Sequence, residues 1–409
     1  DADAIADRTR DPVLREVLRT GLTDLRHLTM TDPQDEADIF AAAGTPWYLT
    51  LFGRDAIWAA RLMLPLSPRL AIGTLRALAR RLAKETDVDT AAEPGKCLHE
   101  ARRVTFESGD LLLPELYYGT VDATPLWIVL LHETWRAGIP ESAVRDLLPA
   151  LRRALGWMSG AVDAADDGLL RYVDASGHGL SNQGWKDSHD SMRRADGTIA
   201  PAPIALLEAQ AYAVQAARGA SELFEGLGER PDRDWGDWAD QLSARVRERF
   251  WVERHAGERY LAMALDAEGR QVDGVGSNMG HALGTGLLTP EEADTVVDRM
   301  LRPDLLRRFG IGSLSSDNPA YNPVGYHTGS VWVHDTAIAM LGMMREGRTD
   351  AAREVARSLL ALGAASGYRL PELCGGEAVG SAAVPYPASC RPQAWAAASA
   401  AALLTVLGT

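Results

Sequence analysis

The chain has 409 residues, of which 46% are hydrophobic and 24% charged, with a formal net charge of −14. That composition belongs to folded globular chains; the acidic balance argues against nucleic acid as a partner, and no run of about 18 uninterrupted apolar residues offers a membrane span. Cys97, Cys374 and Cys390 lack CxxC spacing, so neither a disulfide framework nor a zinc site is expected, and a reducing, cytoplasmic setting is favoured.

Helices are predicted, in chain order, at Pro12–Leu28, Arg54–Leu64, Pro68–Thr86, Asp122–Arg136, Glu141–Ser159 and Pro203–Leu227, then at Arg233–Phe250, Ser277–Thr285, Pro290–Met300, Thr328–Arg345, Thr349–Leu362 and Pro392–Leu407. The odd-numbered segments are amphipathic. In Glu141–Ser159, Val144, Leu147, Leu148, Leu151, Leu155 and Met158 recur at helical spacing, while Arg145, Asp146, Arg152 and Arg153 fill the other face. The even-numbered segments carry TPLWIVLLHETW, SVWVHDTAIAMLGMM and AWAAASAAALLTVL, apolar nearly all round, and a helix of that kind is surrounded by protein. Six buried helices inside six amphipathic ones predict an all-α (α/α)6 barrel, one domain over 1–409. Minor strands are expected only in loops, at Gly168–Tyr172 and Glu258–Leu265.

Tight connections such as Ser67-Pro68 and Glu346-Gly347-Arg348 follow the even-numbered segments, and long loops precede them. All the long loops then gather at one end of the bundle, where a site belongs. The first of them runs from Trp47 to Arg54-Asp55. An Arg-Asp pair opening a buried helix can share the hydroxyls of one polyol, or can be a helix-terminal ion pair. The second contains Tyr117-Tyr118, suited to stacking on a sugar or to core packing, and Asp122, which with Thr124-Pro125 also reads as a helix N-cap. The third, Asn182 to Asp190, includes Trp185-Lys186-Asp187. An indole beside a carboxyl excludes water and raises its pKa, as a general acid near neutrality requires. The loop before the tenth segment holds His327, Trp332 and His334, in a spacing that matches no metal motif. In the last, Glu372 follows Leu370-Pro371 and precedes Gly375-Gly376, an odd place for a solvated charge; it is the second catalytic candidate unless Arg369 or Arg391 simply pairs with it. No GxGxxG or Walker loop occurs, and no cofactor or metal is expected.

Taken together, GRDAIW, EPGKCLHE, YYGTVDATPLW, NQGWKDS, YHTGSVWVHD, RLPEL and CRPQAW resemble the amylo-α-1,6-glucosidase family, the glucosidase domain of glycogen debranching enzymes and its bacterial relatives. The resemblance runs from about Trp47 to Trp395. It implies an (α/α)6 fold, inverting chemistry, Asp187 as general acid, Glu372 as general base, and Arg54 with Asp55 gripping the non-reducing sugar. Trp185, Trp332 and His327 would be walls of that subsite; Trp47, Tyr118, Asp122 and Lys186 complete the candidate sugar contacts. The N-terminal β-rich domain found in relatives is absent from these residues.

The expected activity is hydrolysis of a glycosidic bond in an oligosaccharide or glycogen-like polysaccharide, with α-glucosides as the family default and manno, rhamno or arabino units as alternatives. Three rivals use the same surface. An epimerase or isomerase would rely on His281, His327 and His334. A phosphorolytic enzyme would need a cationic pocket at Glu372, and a non-catalytic glycan binder would show affinity without turnover.

Overall fold

The computed structural model describes residues 2–254, 257–380 and 382–408. The chain is mostly helical, with short strands in its connections. Six elements close into a ring: Gly53–Met63 packs on Ala123–Arg136, that helix on Leu207–Leu227, then the 3-10 helix Ser277–Ala282, Val333–Arg345 and Ala394–Leu407, which returns to Gly53–Met63. Outside them, Pro12–Leu28 lies on Ala394–Leu407, Arg69–Ala79 on Gly53–Met63, Leu148–Ala164 on Ala123–Arg136, and Trp235–Arg249 on Leu207–Leu227. Pro290–Met300 backs the 3-10 helix, and Thr349–Ala365 backs both Val333–Arg345 and Ala394–Leu407. Gly53 through Leu62 and Ala394 through Leu403 are buried without interruption, whereas Pro12–Leu28 buries the one stripe of Leu14, Val17, Leu18, Gly21, Leu25 and Leu28.

The two sets begin differently. Three outer helices have side-chain caps: Asp11 accepts from Val13 and Leu14, Asp234 accepts from Asp237, and Thr289 with Glu292 forms a capping box. Four inner helices are entered from extended residues that make no side-chain cap: Phe52, Leu206, Trp332 and Gln393. Each of these is held instead by β pairing, Phe52 to Glu100, Leu206 to Ala264, Trp332 to Leu373, and Gln393 to Gly44. Short sheets therefore fix where the first turns of the inner helices point.

Several boundaries differ from the sequence reading. The eighth segment is a 3-10 helix, Ser277–Ala282, and not a helix to Thr285. A Cβ on Gly280 would stand 2.6 Å from Met300 and 2.8 Å from Ala339, and Gly284, at φ +71°, turns the chain away. The fifth segment splits into Glu141–Arg145 and Leu148–Ala164. The sixth and tenth start later than predicted, because Ala205–Leu206 and Val331–Trp332 pair as strands. Gly168–Tyr172 contributes only an isolated bridge, Tyr172 to Ile204, and Glu258–Leu265 holds two strands of different sheets.

The hairpin Thr29–Asp32 with Asp35–Ala41 was not legible as strands. It is pinned by ion pairs: fully buried Asp32 accepts from Arg80 and Arg81 at 2.6 Å each, and Asp38 accepts from Arg80 at 2.8 Å. Burial works to raise Asp32, but Arg81, the Gln34 N–H and Arg80 overcome it and hold the carboxyl well below the usual range. A depressed pKa gives stability that is present above the unfolded value, about 3.9, and is lost as pH falls toward the folded one. Asp32→Ala is expected to lower unfolding free energy by about 3 kcal/mol at pH 7, the gap to wild type narrowing below about pH 4; urea titrations at both pH values check this.

Candidate active site

A cavity of about 690 Å³ opens where the inner helices begin. Trp47, Arg54, Asp55, Trp185, Asp187, Trp332 and Glu372, seven of the residues singled out in the sequence, line it.

Asp187 lies on a loop tied down on all sides. Asn182 Nδ2 donates to Ser188 O at 2.7 Å, Tyr172 donates to Asn182 Oδ1 at 2.7 Å, and Ser191 Oγ donates to Lys186 O at 2.7 Å. Lys186 points away from the cavity: its Nζ donates to Asn278 Oδ1 and Ser313 O, both at 2.6 Å. It anchors the loop and, contrary to the sequence expectation, does not line the cavity; burial pushes it down to about 8. Burial likewise pushes Asp187 up to about 6, opposed by Arg54 and reinforced by Asp122.

Glu372 sits one residue before the strand Leu373–Val379, which pairs with Trp332. Its Oε1 accepts from Tyr326 Oη at 2.9 Å and its Oε2 from the Cys390 N–H at 2.7 Å. Neither Arg369 nor Arg391 is its partner. Arg369 binds Asp24 at 2.8 and 2.9 Å, and Arg391 donates to Ser366 O. Burial pushes Glu372 up to about 7, the two donors oppose this, and the charge of Asp187 adds to it. Interacting carboxyls titrate as a set, and the two differ in their hydrogen bonding. Both oxygens of Glu372 face donors that favour its ionised form, and Asp187 has no comparable side-chain donor among the described residues.

Tyr326→Phe tests that arrangement. Without the donor, Glu372 protonates more readily, and the acidic limb of a kcat/KM profile is expected to move to higher pH by about half a unit to one unit. An unmoved limb would separate Tyr326 from the titrating group.

Arg54 is buried, donates to Gly184 O at 2.8 Å and lies 3.3 Å from Asp122. Asp122 is itself fully buried and accepts from Thr120 Oγ1 at 2.8 Å. It occupies the N-cap position of Ala123–Arg136 without a side-chain cap and does not line the cavity. Its work is to hold Arg54 from beneath, so neither the capping nor the sugar-contact expectation stands. Burial pushes Asp55 up to about 8, against Arg54, so near neutrality it is largely a neutral donor; Gln393 Nε2 approaches it at 3.4 Å.

Tyr118 also falls outside the cavity, donating to Arg81 O at 2.9 Å. His327 stands behind the wall, stacked on Trp332 with centroids 4.9 Å apart and bonded through Nδ1 to Ser188 Oγ at 2.8 Å. Neither His281 nor His334 lines the cavity. His281 bridges Tyr212 and Asp335, and His334 stacks on Trp395 at 3.6 Å. None of the three histidines that an epimerase would need lines the cavity.

The structure adds Tyr48, Glu100, Arg102, Tyr326, Gln393 and Trp395 to the lining. Glu100, Gln393 and Trp395 fall within EPGKCLHE and CRPQAW, but nothing local distinguishes them from their neighbours. Their place in the lining is a spatial fact. Arg54 Nη2, Glu100 Oε1, Trp185 Nε1, Gln393 Oε1 and Trp395 Nε1 are buried and find no hydrogen-bond partner within the protein among the described residues, and the same holds behind the wall for His327 Nε2 and both ring nitrogens of His334. Polar atoms of this kind are rare unless a ligand or water meets them, and a polyhydroxylated ring supplies both donors and acceptors.

Residues 119–369 match the mannosylglycerate hydrolase MGH1-like glycoside hydrolase domain. The fold is similar to that of a GH63 mannosylglycerate hydrolase from Thermus thermophilus in complex with Tris, with a TM-score of 0.69 at 15% identity over 94% of this chain and 98% of that one. The same enzyme in complex with Tris and D-glycerate gives 0.68 at 15% over 96% and 100%, and in complex with glucose 0.66 at 16% over 94% and 98%. No curated protein matches the sequence.

Proposed function

Because the chain belongs to the MGH1-like glycoside hydrolase domain family, and so is a glycoside hydrolase, we propose that it releases one hexose from a small glycoside with inversion at the anomeric carbon. The observation that carries this reading is the pair of carboxyls, Asp187 and Glu372, lining one cavity in unlike hydrogen-bonding surroundings. Asp187 protonates the glycosidic oxygen. Glu372, whose two donors favour its ionised form, takes a proton from a water on the other face of the sugar, and the ring passes through an oxocarbenium-like state. Arg54 and neutral Asp55 hold the distal hydroxyls, which turns binding energy into orientation. The closed ring of six elements with six helices outside it is read as an (α/α)6 barrel, which accounts for loops so distant in sequence meeting at one mouth.

The sugar we infer is gluco or manno. A cavity of about 690 Å³ is in the range of small-molecule sites and suits a short glycoside better than a branched polysaccharide. The T. thermophilus neighbour acts on mannosylglycerate, by its name, and was seen with glucose, which favours compact hexosides over a glycogen-like chain. The test is to follow α-glucosides and α-mannosides by proton NMR. The β-anomer is expected as the first product; an initial α-anomer would overturn inversion, and no turnover across the panel would overturn the substrate class.

A further inference from the structure

One wall of the cavity has chemistry unlike its floor. Strands Phe106–Ser108 and Leu111–Leu113 form a hairpin in which Phe106 pairs with Leu113 and Ser108 with Leu111. Side chains alternate along a strand, so Phe106, Ser108, Leu111 and Leu113 share one face. All four line the cavity, and Glu107 and Leu112, on the other face, do not. Leu180 extends the same wall, its segment tied to the hairpin by the Leu112 N–H donating to His178 O at 2.8 Å. Phe106 remains 38% exposed, and Leu111 and Leu180 are half-buried, an arrangement that does little for the core.

Arg102 lies beside this wall and pairs through one nitrogen. Its Nε donates to Glu100 Oε2 at 2.7 Å, and its guanidinium lies 4.8 Å over the Phe106 ring and 6.0 Å over Phe52. The unpartnered polar atoms of the lining are contributed by Arg54, Glu100, Trp185, Gln393 and Trp395, and none by the hairpin or Leu180. With the sugar held among those polar atoms and the carboxyls at the scissile bond, the group that departs must lie along the hydrocarbon.

We propose that Phe106, Leu111, Leu113 and Leu180 form the leaving-group subsite, and that it takes glycosides whose leaving group has an apolar body, an aryl ring or short alkyl chain, in preference to a second sugar or a hydroxy acid. The inference rests on the hydrolytic reading for which end of the substrate lies there.

The experiment measures binding and turnover separately. Methyl, butyl, hexyl and phenyl α-glucosides and α-mannosides, with mannosylglycerate, are titrated calorimetrically into the Asp187→Asn protein, and the same series is assayed with wild type. Affinity is expected to rise roughly two- to fourfold per buried methylene, about thirtyfold or more from methyl to hexyl, with mannosylglycerate no tighter than the methyl glycoside. The double variant Leu111→Ser with Leu180→Ser is expected to cut the hexyl-to-methyl affinity ratio about fivefold or more. A ratio taken within one protein is insensitive to a fraction of misfolded material. A flat series, a ratio unmoved by the double variant, or preference for mannosylglycerate each overturns the proposal. Graded binding without turnover of any member would instead sink the hydrolytic reading and leave the apolar wall supported.

Discussion

Glu372→Gln is expected to lower kcat by about 10²–10⁴-fold, the usual contribution of a general acid or base. The amide is nearly isosteric but cannot take a proton from water. The fold should change little. Gln can still accept from one of the two donors, Tyr326 Oη or the Cys390 N–H, and the mismatch at the other costs about 1 kcal/mol. Asp187→Asn is expected to lose turnover on a similar scale with alkyl glycosides. The two variants part company on a substrate whose leaving group needs no proton. With a glycosyl fluoride, Asp187→Asn should recover much of its rate, because protonation of the departing atom no longer limits; Glu372→Gln should not, because water must still be activated. Steady-state kinetics on alkyl glycosides and the fluoride check both roles. Recovery in the Glu372 variant alone would reverse the assignment, and near-full activity of either variant on alkyl glycosides would remove that residue from the chemistry.

The second large effect is expected at Arg54. Arg54→Met should reduce unfolding free energy by about 3–5 kcal/mol, because removing one member of a buried ion pair leaves the other uncompensated. Here the stranded charge is Asp122, fully buried with Thr120 as its remaining side-chain donor. Arg54 is also the charge that opposes the rise of Asp187 and Asp55, so its loss raises both carboxyls further and shifts the basic limb of the pH profile upward. Adding Asp122→Asn to Arg54→Met should recover part of the stability, since the amide needs no counter-charge. It should not restore KM, since the guanidinium that faces the cavity is still missing. Urea unfolding of the four proteins of this cycle, with KM for the best substrate, separates the two roles. Equal stability of wild type and Arg54→Met would refute the buried-pair argument.

Most helical segments could be read along the chain because burial on all sides and burial on one side leave different local patterns; the split of the fifth and the 3-10 form of the eighth could not. Ala394–Leu407 and Pro12–Leu28 illustrate the two patterns. The short strands could not. Pairs such as Phe52 with Glu100 or Trp332 with Leu373 are two residues long and owe their extended form to a partner elsewhere in the chain. Tyr118, Asp122, Lys186 and His327 were expected in the site from local pattern or, for His327, from the family resemblance. In space they stand behind it, as partners of Arg81, Arg54, Asn278 and Ser188 respectively.

What the amino-acid order determined by itself was the mostly helical character, and local pattern with family resemblance pointed to Asp187 and Glu372, both of which line the cavity. Periodicity and residues adjacent in the chain are local properties. Only the tertiary structure decided which groups touch the cavity and in what protonation state. Gly184 lies 130 positions from Arg54, and Gln393 lies 338 positions from Asp55. Desolvation and hydrogen bonding depend on everything packed around an atom, so the state of a carboxyl is set by neighbours that no window of sequence contains.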